Sequence, residues 1–586
     1  MLNGQISAAS AERQSVPRLF TPGRIGPVEL KNRVVMPPMT TRCADRDGFV
    51  TDEVIAYYGA RADGGVGLIT VEMSAPERAG RHRNFELGIH DDAFVPGLRR
   101  LVDAVHARGA KVSIQLGHGG GHTRIDISGE TPIAPSAIPH VVQEGHTETI
   151  IPEEMSLDRI ERTIQAFADA ARRAEKAGFD AVEIHAAHGY LISQFLAPAE
   201  NLRQDAYGGS LRNRARFGIE IVRRVKAAVP GLGLVFRLNG DDFFPGGMPF
   251  EEARQVAAWA AEAGVDAIHV TGGHYRSLPS AAVMIPPMAM PDVTFLHFAA
   301  AVKRDVKVPV IAVGRLGNPE AAIRAVEDGK ADFVALGRPL LADAEWVNRV
   351  RAGKSVRMCI ACNTCVDGMR AGGKLHCLVN AATGRELKWS QNEAARATRE
   401  RGRRIAVVGA GPAGLTYASL AAAHNEVTVF ERASHAGGAF LIAGLAPKFQ
   451  GVDANPASLE RYIRRLEQQC REKGVTFVFD CDVGRQPERL GGFDLVVLAI
   501  GADYRWGLGP LAVRALRHGA FRWPGLRKLA ASPHVRDWFY DKARVSPAAR
   551  LRNCLPEGTR VLVIGDAKRP GKSQDAILDA FEAALS

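Results

Sequence analysis

Residues 180–188 read Asp-Ala-Val-Glu-Ile-His-Ala-Ala-His, a short apolar run that ends in two histidines. The first part of the chain repeats this unit, in which an apolar run precedes a turn with Gly or Pro and a longer amphipathic stretch. Eight units predict an α/β fold, a closed (β/α)8 TIM barrel whose chemistry lies at the carboxyl ends of the parallel strands. The runs are Arg33–Pro37, Val66–Val71, Lys111–Leu116, Asp180–His185, Gly233–Leu238, Asp266–Val270, Pro309–Val313 and Asp332–Leu336.

Polar and glycine residues follow these runs, where a barrel binds its ligand. After the seventh and eighth runs, Gly314-Arg315 and Gly337-Arg338 supply backbone N–H groups and guanidinium charge. Barrels commonly hold a phosphate at this position, so we expect a phosphate-bearing cofactor. One arginine alone would be assigned to capping a helix or bridging loops, but two in matching positions favour the cofactor. The other residues after the runs are Pro38, Thr40, Gln115, His118, His185, His188, Arg237, Gly272 and Gly273.

Four of the eight cysteines fall within nineteen residues, at Cys359, Cys362, Cys365 and Cys377. Two CxxC steps and a fourth cysteine on a returning loop suit a 4Fe-4S cluster. A four-cysteine zinc site is the alternative, although it usually shows two separated CxxC pairs. A disulfide framework belongs to small secreted domains and does not fit this chain.

A dinucleotide-binding fingerprint follows the cysteines. Residues 404–414 read Arg-Ile-Ala-Val-Val-Gly-Ala-Gly-Pro-Ala-Gly, which predicts a strand, a turn at Gly409, Gly411 and Gly414, and the start of a helix. Glu431 ends the next apolar run, where an acidic residue binds the ribose hydroxyls of a nucleotide. We therefore predict a Rossmann-like domain that binds FAD or ADP, because both ligands share the pyrophosphate that this turn recognises.

The composition is that of an ordinary globular protein, with 586 residues, 46% apolar and 24% charged. The first seventeen residues lack the apolar centre of a signal peptide, and no uncharged apolar run reaches eighteen residues. We expect a cytoplasmic protein that binds neither membrane nor nucleic acid. The net charge is +11, but twelve Lys or Arg against three Asp or Glu lie between Arg505 and Arg560, so one segment carries most of the excess.

Three motifs in the barrel region resemble the old yellow enzyme family of FMN barrels. They are Pro38-Met39-Thr40, the stretch from Val182 to Leu196, and the stretch from Asp205 to Phe217. With the cysteines and the fingerprint behind the barrel, the whole chain resembles the iron–sulfur branch of that family, which contains 2,4-dienoyl-CoA reductase, enoate reductases and trimethylamine dehydrogenase. The resemblance implies FMN in the barrel, a 4Fe-4S cluster, and FAD or ADP in the C-terminal domain.

The resemblance also implies roles for individual residues. His185 and His188 would bind the oxygen of an activating carbonyl, and Tyr190 would protonate the substrate α-carbon. A metal on the two histidines is the alternative, but no third ligand lies nearby in the sequence; Tyr190 is alternatively a packed aromatic. Residues implied to bind flavin cofactors are Pro38, Thr40, Gln115 and Arg237 in the barrel, and Asp566 in the C-terminal domain.

We expect four parts in the chain. These are an N-terminal arm over 1–17, the FMN-binding barrel over 18–350, a cluster segment with a linker over 351–402, and the FAD- or ADP-binding domain over 403–586. Within the barrel, the long excursion from Gly117 to Met155 is expected to form a lid or a barrel floor.

The C-terminal domain is shorter than the resemblance implies. Relatives that take hydride from NAD(P)H insert a second nucleotide fold, but only 63 residues separate Gly501 from Gly565 and none forms another GxGxxG. Our hypothesis is that this module is reduced or lost. The basic insert 503–558, with Trp506, Trp523, Trp538 and Phe539, would then dock an acidic electron carrier, such as an electron-transfer flavoprotein or a ferredoxin, or cover the flavin. A solvated basic face is the alternative.

Two enzymatic functions follow from these residues. The first is reduction of an activated C=C bond in a small molecule, which the resemblance of residues 272–277 to enoate reductases favours. The second is dehydrogenation or oxidative N-demethylation of an amine. The missing nicotinamide module and the resemblance of the turn at 120–122 to that of amine dehydrogenases favour it. A methylated amine needs an aromatic cage, and Trp259 is the only Trp before Trp346, which weakens a trimethylamine-like substrate. A non-enzymatic electron-transfer subunit would not need His185, His188 and Tyr190. The oligomeric state, with a homodimer as one option, stays open.

Overall fold

Eight parallel strands close into a barrel in the order of the sequence, which confirms the predicted fold class. β8 closes the ring against β1, where Val334 pairs with Val34 and Ala335 pairs with Val35. The strands are buried along almost their whole length. They are β1 (Val34–Met36), β2 (Leu68–Ser74), β3 (Lys111–Leu116), β4 (Ala181–Ala186), β5 (Gly233–Asn239), β6 (Ala267–Thr271), β7 (Val310–Ala312) and β8 (Phe333–Ala335).

The computed structural model describes residues 16–141, 149–390, 402–449, 451–505, 508–520, 523–555 and 558–585. Residues 1–15 of the predicted arm, most of the predicted linker (391–401) and Trp506 lie outside these ranges. Within the ranges, no helix combines the length and the apolar character that crossing a bilayer requires.

Amphipathic helices cover the outside of the barrel. In the helix Leu157–Ala177, Ser156 caps the first turn and Gly178 ends the helix in the left-handed conformation. Its buried positions, Ile160, Ile164 and Phe167 among them, face the strands. The other covering helices are Asp52–Asp63, Val95–His106, Leu211–Ala228, Phe250–Glu262, Leu296–Asp305, Pro319–Glu327 and Trp346–Arg351; shorter helices are Ile125–Ser128, Leu191–Leu196, Leu278–Met284, Arg338–Ala342 and Thr364–Arg370.

An aspartate precedes each of β4, β6 and β8 and holds the neighbouring odd-numbered strand. Asp180, Asp266 and Asp332 accept the backbone N–H of Val112, Leu234 and Val310 at 2.9, 2.8 and 2.9 Å. Each aspartate returns its own N–H to the carbonyl of the same residue. A lysine ammonium group also pairs with each carboxylate. We call these three arrangements the aspartate clamps.

Arg61 connects the start of the barrel to the chain that follows it. The side chain is fully buried and lies 4.0 Å over the ring of Tyr57. Its Nε donates to the carbonyl of Leu340 at 3.2 Å, and its Nη1 forms an ion pair with Glu386. One guanidinium thus joins the helix between β1 and β2, the segment after β8, and the region beyond the cysteines.

The C-terminal domain is a five-stranded parallel sheet in the order β11-β10-β9-β12-β13. This order places the first strand at the centre, as in a Rossmann-like fold. The strands are β9 (Arg404–Val408), β10 (Glu426–Phe430), β11 (Thr476–Val478), β12 (Leu495–Leu498) and β13 (Val561–Val563), and the main helices are Pro412–Ala421, Ala439–Ala443, Pro456–Glu472 and Ser573–Leu585.

The insert between β12 and β13 has no parallel sheet in its described residues. It consists of the helices Leu508–Arg517, Pro524–Ala531, Pro533–Asp541 and Ala548–Arg552, and an antiparallel pair of Asp503–Tyr504 with Arg544–Val545. Trp523 is 72% exposed and Trp538 is 42% exposed. A second nucleotide-binding fold is therefore absent from this part of the described chain.

Replacing Asp266 with alanine should destabilise the barrel. The change leaves the N–H of Leu234 and the ammonium of Lys226 without their shared carboxylate, which costs about 2–3 kcal/mol. We expect the midpoint of thermal unfolding to fall by several degrees, measured by circular dichroism. Asp158→Ala is the control, because its carboxylate is 79% exposed and pairs with Arg162 at the surface. Equal midpoints for the two variants would contradict a role for the clamps.

Candidate functional site

A cavity opens at the carboxyl ends of the barrel strands, and the cysteine segment forms its opposite wall. Its open space is about 1720 Å³, counted out to the mouth. Cys359 and Cys365 contribute to the lining. Of the residues predicted at the barrel mouth, His118, Gly272 and Gly273 are not part of this lining, and His118 pairs with Glu77 instead. The structure brings the others together here: Pro38, Thr40, Gln115, His185, His188, Tyr190, Arg237, Gly314, Arg315, Gly337 and Arg338.

His185 and His188 form a pair of neutral imidazoles on the cavity wall. Their ring centroids lie 5.0 Å apart with the planes at 84°. His188 has a positive φ of 66°, and its Nε2 lies 3.1 Å from Thr271 Oγ1. Nδ1 of His185 has no hydrogen-bond partner in the described residues. Burial, together with the charge of Arg237, lowers the pKa of both histidines well below 6.5, so each ring offers one donor and one acceptor.

Tyr190 stands beside this pair with its hydroxyl held by two residues that the sequence analysis missed. The ring lies 5.0 Å from that of His185. Its hydroxyl is 3.2 Å from His82 Nε2 and 3.4 Å from Arg83, and His82 Nδ1 lies 3.1 Å from Glu86. Burial raises the pKa of Tyr190, so the phenol keeps its proton. Nothing in the spacing of the loop after β2 indicates that His82 and Arg83 reach the site.

Glu183 ties together the floor of the cavity. Its buried carboxylate accepts from Gln115 Nε2 at 2.7 Å, contacts His269 Nδ1 at 2.8 Å, and lies 4.0 Å from Arg237 Nη1. Burial alone would raise the pKa of Glu183, but His269 and Arg237 outweigh burial and lower it. Glu183 and His269 were not predicted; their only signal is an ionisable residue inside an apolar strand.

The two Gly-Arg pairs lie together at one end of the cavity. Gly314 has a φ of +108°, and a Cβ there would lie 2.7 Å from Phe295, so the turn requires glycine. Arg315 pairs with Asp292 at 2.6 Å. Arg338 donates to Asn363 Oδ1 at 2.5 Å, between two of the cysteines. The arginines therefore also bridge loops, which was the alternative to phosphate binding.

The four cysteines form no disulfide within the described residues, and their sulfurs are spaced more widely than zinc requires. Ala361 N donates to Cys359 Sγ at 3.3 Å, and Thr364 Oγ1 donates to Cys362 Sγ at 3.2 Å. These sulfurs are not among the groups of three ligand atoms lying within 4.8 Å of one another in the described residues. With Zn–S bonds of about 2.3 Å, a tetrahedral zinc would hold them about 3.8 Å apart.

The glycine turn of the second domain is closely packed, and Glu431 braces it. A Cβ on Gly409 would lie 2.5 Å from the carbonyl of Ala499, and one on Gly414 would lie 2.0 Å from the carbonyl of Gly409. Space around Gly411 is open. Glu431 accepts the N–H of Ala410 at 2.8 Å and that of Ala433 at 2.9 Å. The turn is thus fixed by the residue predicted to bind ribose.

Asp566 follows β13, close to this turn. A Cβ on its neighbour Gly565 would lie 3.0 Å from Ala413, which is in the first turn of the helix Pro412–Ala421 that follows the glycine turn. The carboxylate of Asp566 pairs with Arg544 of the insert at 2.7 Å and accepts the N–H of Gly571 at 3.1 Å. The insert thus reaches the predicted nucleotide site.

Two family models match the chain, one in the barrel and one in the C-terminal sheet domain. The model of the NADH:flavin oxidoreductase / NADH oxidase family matches residues 18–356, and that of an NAD(P)-binding Rossmann-like domain matches residues 407–443. The chain belongs to the NADH:flavin oxidoreductase family. It is an FMN-dependent oxidoreductase of the old yellow enzyme kind, which confirms the resemblance found in the sequence.

Several relatives share both domains. The chain is 39% identical to an NADH oxidase of Thermoanaerobacter brockii, covering 83% of this chain and 73% of the relative. It is 33% identical to a cinnamate reductase of Clostridium sporogenes, covering 83% and 74%. The structure of a 2-naphthoyl-CoA reductase in complex with 2-naphthoyl-CoA superposes with a TM-score of 0.84 at 23% identity over 97% and 99% of the chains, which shows a common fold.

The neutral histidines predict a pH dependence of stability. Below the ordinary histidine pKa of about 6.5, the unfolded chain binds protons at His185 and His188 that the native chain does not bind. The free energy of unfolding is therefore highest above that pH. It falls as the pH falls, by up to about 1.4 kcal/mol per pH unit for each histidine. We expect the His185→Asn/His188→Asn variant to lose less in unfolding temperature than the wild type between about pH 7 and pH 5.

His424→Asn is the control for this measurement, because His424 is exposed on the second domain. It should follow the wild-type pH dependence. An unchanged slope in the double variant would show that the two imidazoles bind protons equally in the native and unfolded chains, which would contradict their lowered pKa.

Proposed function

We propose that the protein reduces an activated C=C bond in an α,β-unsaturated acid, thioester or related carbonyl compound. The observation that carries the proposal is the group of two neutral imidazoles and one protonated phenol on the same wall of the cavity. This group can hold a carbonyl oxygen and deliver a proton beside it. The likeness to a cinnamate reductase supports the same class of substrate.

FMN fits the barrel cavity by the chemistry of the lining. Gln115 and Arg237, fixed by Glu183, would face the flavin ring, and the two Gly-Arg pairs would hold its phosphate. Nε of Arg315 and Nε of Arg237 have no hydrogen-bond partner in the part of the chain that the structure describes, which supports a ligand at both ends of the cavity. When bound and reduced by two electrons, FMN would supply a hydride for the substrate β-carbon.

The side chains of the protein perform the rest of the reaction. His185 and His188 donate hydrogen bonds to the carbonyl oxygen, where negative charge develops as hydride reaches the β-carbon. Tyr190 then transfers its proton to the α-carbon, so that the C=C π bond is replaced by two C–H bonds. His82, in contact with Tyr190 and Glu86, provides a route by which the phenol recovers a proton.

Arginines around the phenol favour this substrate over an amine. Arg83 contacts both Tyr190 and Tyr275, and Arg370 lies 5.7 Å over the ring of Tyr275. A carboxylate or a polarised carbonyl is attracted to this end of the cavity, whereas a protonated amine would be repelled. Amine dehydrogenation is therefore the less favoured function.

We assign Cys359, Cys362, Cys365 and Cys377 to a 4Fe-4S cluster. The wide spacing of the sulfurs supports a cluster larger than a single zinc ion, and hydrogen bonds to Cys359 and Cys362 suit thiolates in a cluster. Cys359 and Cys365 also line the flavin cavity. The cluster would supply single electrons to the flavin.

We further propose that the second domain binds FAD or ADP and that its insert does not bind NAD(P)H. Gly409, Gly411 and Gly414 would hold the pyrophosphate, with Glu431 at the ribose and Asp566 nearby. The insert instead offers exposed Trp523 among many basic residues, which suits an acidic electron carrier.

Replacing Tyr190 with phenylalanine should slow substrate reduction. Loss of the proton donor is expected to lower the rate of flavin reoxidation by about 10²–10⁴-fold, with flavin content unchanged. The measurement is anaerobic stopped flow of dithionite-reduced enzyme mixed with a panel of unsaturated acids, thioesters and enones. Tyr207→Phe is the matched control, because the Tyr207 hydroxyl donates a hydrogen bond to Glu220 on the outside of the barrel. Equal rates for the Tyr190 and Tyr207 variants would contradict the assigned role.

Anaerobic reduction by NADH and NADPH tests the assignment of the insert. Because the described insert lacks a nucleotide fold, we expect neither to bleach the flavin rapidly, whereas dithionite should bleach it fully. Rapid, stoichiometric bleaching by either nucleotide would contradict the loss of the module. It would leave the proposed C=C reduction intact, because that depends on the Tyr190 result.

A further inference from the structure

A group of buried titratable side chains lies behind the substrate cavity and takes no part in the proposed reaction. His122, His140, Glu200 and His274 are 3%, 1%, 0% and 0% exposed. They come from four separate places: the turn after β3, the pair of short strands in the following excursion, the loop after Leu191–Leu196, and the loop after β6. We call them the histidine–glutamate cluster.

Three of these side chains point at a common space. One ligand atom each of His122, His140 and Glu200 lies within 4.8 Å of the other two. Within the described ranges, no other three His, Cys, Asp or Glu side chains bring their ligand atoms this close together. His140 Nδ1 is 3.6 Å from Glu200 Oε1. Within the described residues, the two ring nitrogens of His140 and Oε1 of Glu200 have no hydrogen-bond partner. A buried carboxylate left in this state is costly unless a cation compensates it.

His274 orients the carboxylate and is not itself a ligand. The backbone N–H of Arg276 donates to His274 Nδ1 at 3.1 Å, so the proton on Nε2 faces Glu200. Burial lowers the pKa of His274, but the carboxylate of Glu200 outweighs burial and raises it. That Nε2 lies 3.0 Å from Glu200 Oε2. The contact engages one oxygen of Glu200 and leaves Oε1 to face His140, as a supporting residue does for a metal-binding carboxylate.

Two glycines make the space that the imidazoles occupy. A Cβ on Gly121 would lie 2.6 Å from Cδ2 of His140, and one on Gly189 would lie 2.6 Å from Cε1 of His274. Gly121 stands in the loop after β3, and Gly189 directly follows His188. The absence of side chains at these two glycines therefore leaves room for both imidazole rings, as expected of a binding site.

We propose that His122, His140 and Glu200 bind a divalent transition metal, with Zn²⁺ the expected ion and a water completing its coordination. Two imidazoles and one carboxylate are ligands that zinc accepts at about 2.0–2.2 Å, and its charge compensates the buried Glu200. This site is separate from the cysteines and does not depend on the reaction proposed above.

The metal acts as a positioning group for the cavity wall. The ring of His122 lies 5.9 Å from that of Tyr275, and Tyr275 lies 5.7 Å from Tyr190. His140 also fixes the excursion between β3 and β4 over this wall. Binding of the metal joins His140 of that excursion to the loop that carries Glu200, and so holds these two segments together behind the phenols.

The first test is the metal content of the full-length protein loaded with its flavin and cluster, produced with added zinc. We expect about one zinc ion per chain by mass spectrometry, besides the cluster iron. His140→Gln and Glu200→Gln should each retain almost no zinc, whereas the control His424→Asn should keep it. Flavin content and circular dichroism show that each variant is folded.

The wild-type protein provides a second test that does not depend on the variants folding. Crystals should show anomalous scattering at the zinc edge between His122, His140 and Glu200. A chelator that removes the zinc should lower the unfolding temperature, and added Zn²⁺ should restore it. Another divalent metal at the same position would support the site. Absence of any stoichiometric metal there, or zinc retained by both variants, would overturn the proposal.

Discussion

The buried carboxylate of Glu183 is the constraint on which the candidate site depends. An ionised group inside a barrel is stable only when cations and donors surround it, and here Gln115, Arg237 and His269 do so from β3, β5 and β6. The same contacts fix the amide and the guanidinium that face the cavity. Arg237 in turn helps to keep the two histidines neutral. The residues on the floor of the cavity thus help to set the protonation of His185 and His188.

The sequence predicted well those features that depend on local spacing. The eight apolar runs became the eight strands, because the alternation of strand and helix is visible in one window of sequence. The same holds for the glycine turn at Gly409 and for the residues after each strand. Because the strands of the closed barrel are parallel, the residues that follow them lie at the same end of the barrel.

Features made by distant contacts were not predictable in this way. His82 and Arg83 follow β2 but act on Tyr190 after β4, and no periodicity relates the two segments. Asp566 was predicted to face a nucleotide, yet its pairing with Arg544 depends on the fold of an insert with no recognisable pattern. The excursion after β3 was expected to be a lid or a floor; its contact with Arg276 of the loop after β6 places it at the mouth.

The aspartate clamps also divide the barrel unequally. They fasten β3 to β4, β5 to β6 and β7 to β8, but Gly67 stands before β2, so the pair formed by β1 and β2 has no clamp. The chain beyond the cysteines stabilises this part of the barrel instead, because Arg61, in the helix between β1 and β2, contacts both Leu340 and Glu386. The barrel and its extension are consequently not independent modules. A barrel separated from the chain beyond the cysteines would bury the guanidinium of Arg61 without its carboxylate partner Glu386.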